Sequence, residues 1–124
     1  MKKNKVLIIE DDTSLVKIIE NALGDKKFEV ELALSAEEGL DKARIAKPDL
    51  IVLDVLLPGK TGFECLEALK KDKITKNIPV IVLSNLGQAE EIRKGQNLGA
   101  IDYLVKADFT IDEVVAKITK AIKK

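Results

Sequence analysis

Leu50-Ile51-Val52-Leu53-Asp54-Val55-Leu56-Leu57 is the longest apolar run of the chain, and one acid breaks it. Four consecutive aliphatic residues, two of them β-branched, suit a strand buried on both faces, as in a parallel sheet covered by helices. An aspartate after such a run is costly to bury unless a partner meets it. Working outward, Val6-Leu7-Ile8-Ile9 and Val80-Ile81-Val82-Leu83 repeat the pattern, and Ile101 to Val105 repeats it more weakly. Phe28 to Leu34 instead alternates, with apolar residues at 28, 30, 32 and 34. Alternation predicts an edge or half-exposed strand. Five strands are expected.

The segments between them have helical periodicity. Leu15, Ile18, Ile19, Ala22 and Leu23 form one apolar stripe, and Ile111, Val114, Val115, Ile118 and Ile122 form another near the C-terminus. Ser35-Ala36-Glu37-Glu38, Thr61-Gly62-Phe63-Glu64 and Thr110-Ile111-Asp112-Glu113 match the capping box that satisfies unpaired N–H groups at a helix start. Gly24 and Pro48 are placed to stop helices. Segment 87–98 is the weakest helix, with Gly87, Gly95 and Gly99 around a thin stripe of Ala89, Ile92 and Gln96. That weakness makes it a candidate moving part. Strand and helix thus alternate five times. The predicted fold class is α/β, a doubly wound (βα)5 with a five-stranded parallel sheet in the order 2-1-3-4-5, because right-handed crossovers leave few other topologies.

Composition narrows the chemistry. The chain has 124 residues, 21 basic and 21 acidic side chains, no histidine and one cysteine, Cys65. Its length suits one domain over residues 1–124, with no output domain expected. Zero net charge removes the usual electrostatic case for direct nucleic-acid contact. No apolar stretch approaches the roughly 20 residues of a membrane helix, and the run in MKKNKVLIIEDD is too short for a signal peptide. A reducing cytoplasm is the expected compartment. Cys65 is expected to pack beside Phe63, Leu66 and Leu69, and the terminal Lys2, Lys3, Lys5, Lys120, Lys123 and Lys124 to be solvated charge. Without histidine, a Ser/His/Asp triad and a Cys/His pair are excluded, and a zinc site is disfavoured. Chemistry must run on carboxylates, hydroxyls and lysine.

In open α/β sheets, ligands bind beyond the carboxyl ends of the strands. Those ends carry Glu10-Asp11-Asp12, Asp54, Ser84-Asn85 and Lys106. Two carboxylates about 4–5 Å apart repel by roughly 3–4 kcal/mol at an effective dielectric of about 20, so such a cluster calls for a cation. Oxygen ligands alone favour a hard ion, with Mg2+ suited better than a Ca2+ cage and Mn2+ able to replace it. A carboxylate beside such an ion, an ammonium and a hydroxyl can attack phosphorus to form an aspartyl phosphate. Asp54, at the end of the most buried strand, is the best nucleophile.

The acidic pair Asp11-Asp12, the segment DLIVLDVLLPGKTGFE, the VIVLS strand end at Ser84 and GAIDYLVK together resemble the CheY-like receiver domain of two-component response regulators, which has the flavodoxin-like sheet. The likeness covers the whole chain in order. It implies that Asp54 accepts phosphoryl from a histidine kinase, a histidine phosphotransfer protein or a small acyl phosphate. It implies direct Mg2+ ligation by Asp12, Asp54 and the Leu56 backbone carbonyl, with Asp11 acting through water. Lys106 would pair with a phosphoryl oxygen and Ser84 would swing to donate to one. Tyr103 would then turn inward, which couples the site to the fourth helix, fifth strand and fifth helix and to a downstream protein partner.

The chain departs from the pattern in places. Ala107 replaces the proline that usually follows the lysine, so a cis bond there would be costly. Asn85 is larger than usual, and Leu56 and Leu86 cannot orient an attacking water. Simpler roles exist for each residue: Asp11-Asp12 as a helix cap, Asp54 as a turn acid before Pro58-Gly59, Ser84 as a loop hydroxyl, Lys106 as a surface lysine and Tyr103 as packing. Three rival functions remain. An aspartate-nucleophile phosphatase lacks its D-x-D motif at Asp54-Val55-Leu56, and a flavin carrier would meet repulsion at the acidic first loop. The third is a receiver-like binding module that is not phosphorylated.

Overall fold

The branched aliphatic runs become strands because each is flanked on both faces by helices that bury it. The computed structural model describes residues 4–24, 28–57 and 61–122, and these form β1 (Asn4–Ile9), α1 (Thr13–Gly24), β2 (Phe28–Ala33), α2 (Ala36–Ala46) and β3 (Leu50–Leu53). They continue with α3 (Gly62–Lys71), β4 (Val80–Ser84), α4 (Ala89–Asn97), β5 (Asp102–Val105), a 3-10 turn (Lys106–Asp108) and α5 (Ile111–Ile122). The strands form one parallel sheet in the order β2-β1-β3-β4-β5, so the alternating run is an edge strand. Pro58-Gly59 and Lys2, Lys3, Lys123 and Lys124 lie outside the described residues.

Pleating sends alternate strand residues into two cores. Val6, Ile8, Leu50, Val52, Ile81, Leu83 and Leu104 pack against Val16, Ile19 and Leu23 of α1 and Val114, Val115 and Ile118 of α5. Leu7, Ile9, Ile51, Leu53, Val80, Val82 and Tyr103 face the other way, onto Ala36 and Ala43 of α2 and Cys65, Leu66 and Leu69 of α3. Cys65 is fully buried there. Among the described residues, no helix is long and apolar enough to cross a membrane.

Helix ends follow the expected chemistry, with one shift. Thr61 with Glu64 and Thr110 with Glu113 form complete reciprocal boxes. Ser35 accepts the Glu38 N–H, but the Glu38 carboxylate reaches one residue further back, to the Leu34 N–H at 2.7 Å. Lys47 ends α2 in the left-handed region at φ 48, its N–H donating to the Ala43 carbonyl, and Pro48 follows directly. Helix α4 buries only Gly95; of the expected stripe Ile92 is partly buried, whereas Ala89 and Gln96 are exposed, and Gly99 lets the chain leave the helix at φ 109.

Candidate functional site

Strand register builds the site. Ile9 lies opposite Leu53 in the parallel pair, so the next residues, Glu10 and Asp54, emerge side by side from the carboxyl edge. The Asp54 N–H donates to the Ile9 carbonyl at 3.0 Å, which carries the pairing one step past the strands. Lys106, immediately after β5, then reaches across: its Nζ donates to Asp54 Oδ2 at 2.9 Å and to Glu10 Oε1 at 2.6 Å. Glu10 and Asp54 are only 3% and 4% exposed, so the ammonium is the cation that makes burying two acids tolerable. Asp54 Oδ1 also accepts the Leu56 N–H at 2.9 Å.

The carboxylates that converge are Glu10, Asp11 and Asp54, whose nearest oxygens all lie within 4.8 Å of one another. Asp12, expected as a direct ligand, is not one of the three. Its Oδ1 accepts the Ser14 and Leu15 N–H groups at 3.1 and 3.2 Å and caps α1, while its own N–H donates to Glu10 Oε2. A carboxylate directly preceding a helix is drawn to unpaired amides and to the positive end of the helix dipole. A signal for Glu10 lay in the sequence: it follows Val6–Ile9 as Asp54 follows Leu50–Leu53, each an acid directly after four apolar residues.

Burial pushes the Glu10 carboxyl from its ordinary 4.5 up to about 7, with the Asp54 charge adding to the rise and the Lys106 hydrogen bond opposing it. Burial presses Lys106 downward, but hydrogen bonds to Asp54 and Glu10 outweigh it and hold the ammonium above its usual value. Between pH 4.5 and 7 the folded chain keeps a proton on Glu10 that the unfolded chain releases. Stability should therefore fall as pH rises through that window, by on the order of 1–2 kcal/mol after screening. Thermal unfolding at pH 5 and pH 8 checks this, and Glu10→Gln should remove the Glu10 part of the slope. A slope identical in parent and variant counts against it.

Ser84 and Tyr103 converge on one loop residue. The fully buried Ser84 accepts the Leu86 N–H on its Oγ at 3.3 Å, and the Tyr103 hydroxyl donates to the Leu86 carbonyl at 2.5 Å. Tyr103 is 7% exposed, so its ring already lies inward, and burial pushes its hydroxyl up to about 12, with the Glu91 and Asp54 charges adding. Asn85 is exposed, and Leu56, whose N–H bonds to Asp54, is half-exposed. No cis peptide bond occurs among the described residues, and Ala107 continues into the 3-10 turn.

The sequence profile of the response regulator receiver domain matches residues 6–119. This chain belongs to that family. The receiver is 33% identical over 120 residues to the DNA-binding dual master transcriptional regulator RpaA of Synechocystis, covering 97% of this chain and 49% of that protein. It is 34% identical to the cell cycle response regulator CtrA of Brucella ovis, over 97% of this chain and 50% of that one. The chain thus spans about half the length of these curated relatives. Among solved structures, Vibrio cholerae CheY4 superposes with a TM-score of 0.88 at 31% identity, covering 97% of this chain and 99% of that one. The receiver domain of Francisella response regulator 1452 does so at 0.89 and 30% identity, covering 98% of each. The receiver is a two-component signalling domain with the CheY-like sheet.

Proposed function

We propose that this receiver accepts a phosphoryl group on Asp54 and passes the change to the face formed by α4, β5 and α5. The observation that carries the reading is a buried Asp54 carboxylate at the end of the central strand, bonded to Lys106 and beside two further acids. Three carboxylates against one ammonium leave a local negative excess of hard oxygen donors, which fits a divalent ion such as Mg2+. Glu10, Asp11, Asp54 and the Leu56 backbone carbonyl would hold it, and when bound it would offset the charge on the phosphoryl oxygens. An Asp54 oxygen forms the bond to phosphorus as the donor's bond to phosphorus breaks, and the electron pair leaves with the donor. The Lys106 ammonium is placed to follow the negative charge from Asp54 Oδ2 onto a phosphoryl oxygen.

Ser84 would turn its hydroxyl to the same group. Because Ser84 Oγ holds the Leu86 N–H and Tyr103 holds its carbonyl, that motion would be felt at the start of α4. The donor is a histidine kinase or histidine phosphotransfer protein in a cytoplasmic setting, and the output is a protein contact. DNA binding, which the name of RpaA records, is that protein's property, and zero net charge gives this domain no basic footprint for it. Incubation with acetyl phosphate and Mg2+, followed by intact-mass measurement, tests the reading. One phosphoryl addition is expected on the parent and none on Asp54→Ala. No addition to the parent, or an equal one to the variant, would overturn it.

Leu56 and Leu86 place no polar side-chain group beside the pocket to orient a hydrolytic water, so the phosphoryl form should be long-lived. Leu56→Asn should shorten its lifetime on the order of tenfold, modest beside general-base catalysis. Decay of the intact-mass adduct with time measures this, and an unchanged lifetime contradicts it.

A further inference from the structure

Helix α4 rests on two aromatic rings. Lys94 Nζ lies over the Phe63 ring, 4.7 Å from its centroid, and Gly95, the helix's only buried residue, lies against Tyr103. A Cβ at position 95 would stand 2.7 Å from Tyr103 Cδ2 and 3.0 Å from Cε2, with Phe63 Cε1 at 3.9 Å. The ring has little room to yield. Its backbone belongs to β5 and its hydroxyl is tied to the Leu86 carbonyl, so both ends are fixed while it points inward. A glycine inside a helix weakens it, so the residue must be accounted for by something other than helix propensity.

We propose that Gly95 is the positioning residue for Tyr103: its missing side chain is the seat that admits the inward ring, and the ring in that seat sets where α4 rests. Any methyl at position 95 displaces the ring outward, frees the Leu86 carbonyl and releases α4 from its support. The role of this seat as the transmitting contact of a phosphoryl switch rests on the function proposed above, whereas the seat itself does not.

The chain has one tyrosine and no tryptophan, so its intrinsic fluorescence reports Tyr103 alone. Acrylamide quenching of the full chain, without any phosphoryl donor, tests the seat independently of Asp54 chemistry. Gly95→Ala should be quenched severalfold more readily than the parent, while Gln96→Ala, on the exposed side of the same helix, should match the parent. Parent-like quenching in a folded Gly95→Ala, or a raised Tm with no change in quenching, would overturn the proposal, since better helix propensity alone does that. If Gly95→Ala folds poorly, thermal unfolding by circular dichroism in a Tyr103→Ala background decides. Alanine at 95 should then cost far less than it does opposite the intact ring, and an equal cost in both backgrounds contradicts the proposal.

Discussion

Gly62→Ala should lower the stability of this domain by about 3 kcal/mol, the upper end of the cost of overpacking. A Cβ there would stand 2.2 Å from Val55 Cα and 2.4 Å from the Asp54 carbonyl oxygen. Both are backbone atoms, so no rotamer change relieves the contact. The Gly62 N–H also donates to the Val55 carbonyl at 3.0 Å, which holds the start of α3 against the end of β3. Relief therefore requires moving α3, the Asp54–Val55 segment or both, and phosphoryl acceptance should fall with stability. Thermal unfolding should show a midpoint lower by on the order of 10 °C. Gly24→Ala is the opposite case, because among the described residues a Cβ there meets nothing within 4 Å. It should stabilise by up to about 1 kcal/mol through helix propensity. The same substitution thus has opposite signs at two positions, and equal effects would contradict the packing argument.

Lys106→Met should be comparably severe for an electrostatic reason. The ammonium touches Glu10 and Asp54 at 2.6 and 2.9 Å, and its loss leaves two buried carboxylates facing each other. Charges about 5 Å apart at an effective dielectric of about 20 repel by roughly 3 kcal/mol. The loss should be largest near pH 8, where Glu10 is ionised. It should shrink toward pH 5, because Glu10, already raised to about 7, takes up a proton more readily still without the lysine. Added Mg2+ should raise the unfolding midpoint more in the variant than in the parent, since a divalent ion replaces part of the missing charge. Phosphorylation by acetyl phosphate should slow by about 10²–10³-fold, the usual cost of removing one group that stabilises developing charge. Parent-like stability at pH 8 together with a parent-like rate would count against this role for Lys106.

The fold was legible because its determinants are local. Four-residue aliphatic runs, the alternating edge strand, two amphipathic stripes and the handedness of crossovers together restrict the topology to the observed order. Asp54, Ser84 and Lys106 stand out in the sequence as polar residues at strand ends, and in the structure Lys106 bonds to Asp54 while Ser84 is buried at the end of β4. Which acid of Glu10-Asp11-Asp12 turns toward Asp54 depends on register between β1 and β3, a long-range property: the sequence pointed to Asp11 and Asp12, whereas Glu10 and Asp11 are the two that converge with Asp54. Gly62 and Gly95 were illegible for a related reason. In sequence each is a residue of low helix propensity, whereas in the fold each marks a close approach, one to the Asp54–Val55 backbone and one to the Tyr103 ring.

The central claim is that Asp54 carries the phosphoryl group. After treatment with acetyl phosphate and Mg2+, borohydride reduction converts an acyl phosphate on aspartate to homoserine, and tandem mass spectrometry of the peptides locates the change. A single modified residue, Asp54, is predicted. Modification at Asp11, Asp12 or Ser84 with Asp54 intact, or no modification at all, would contradict the account.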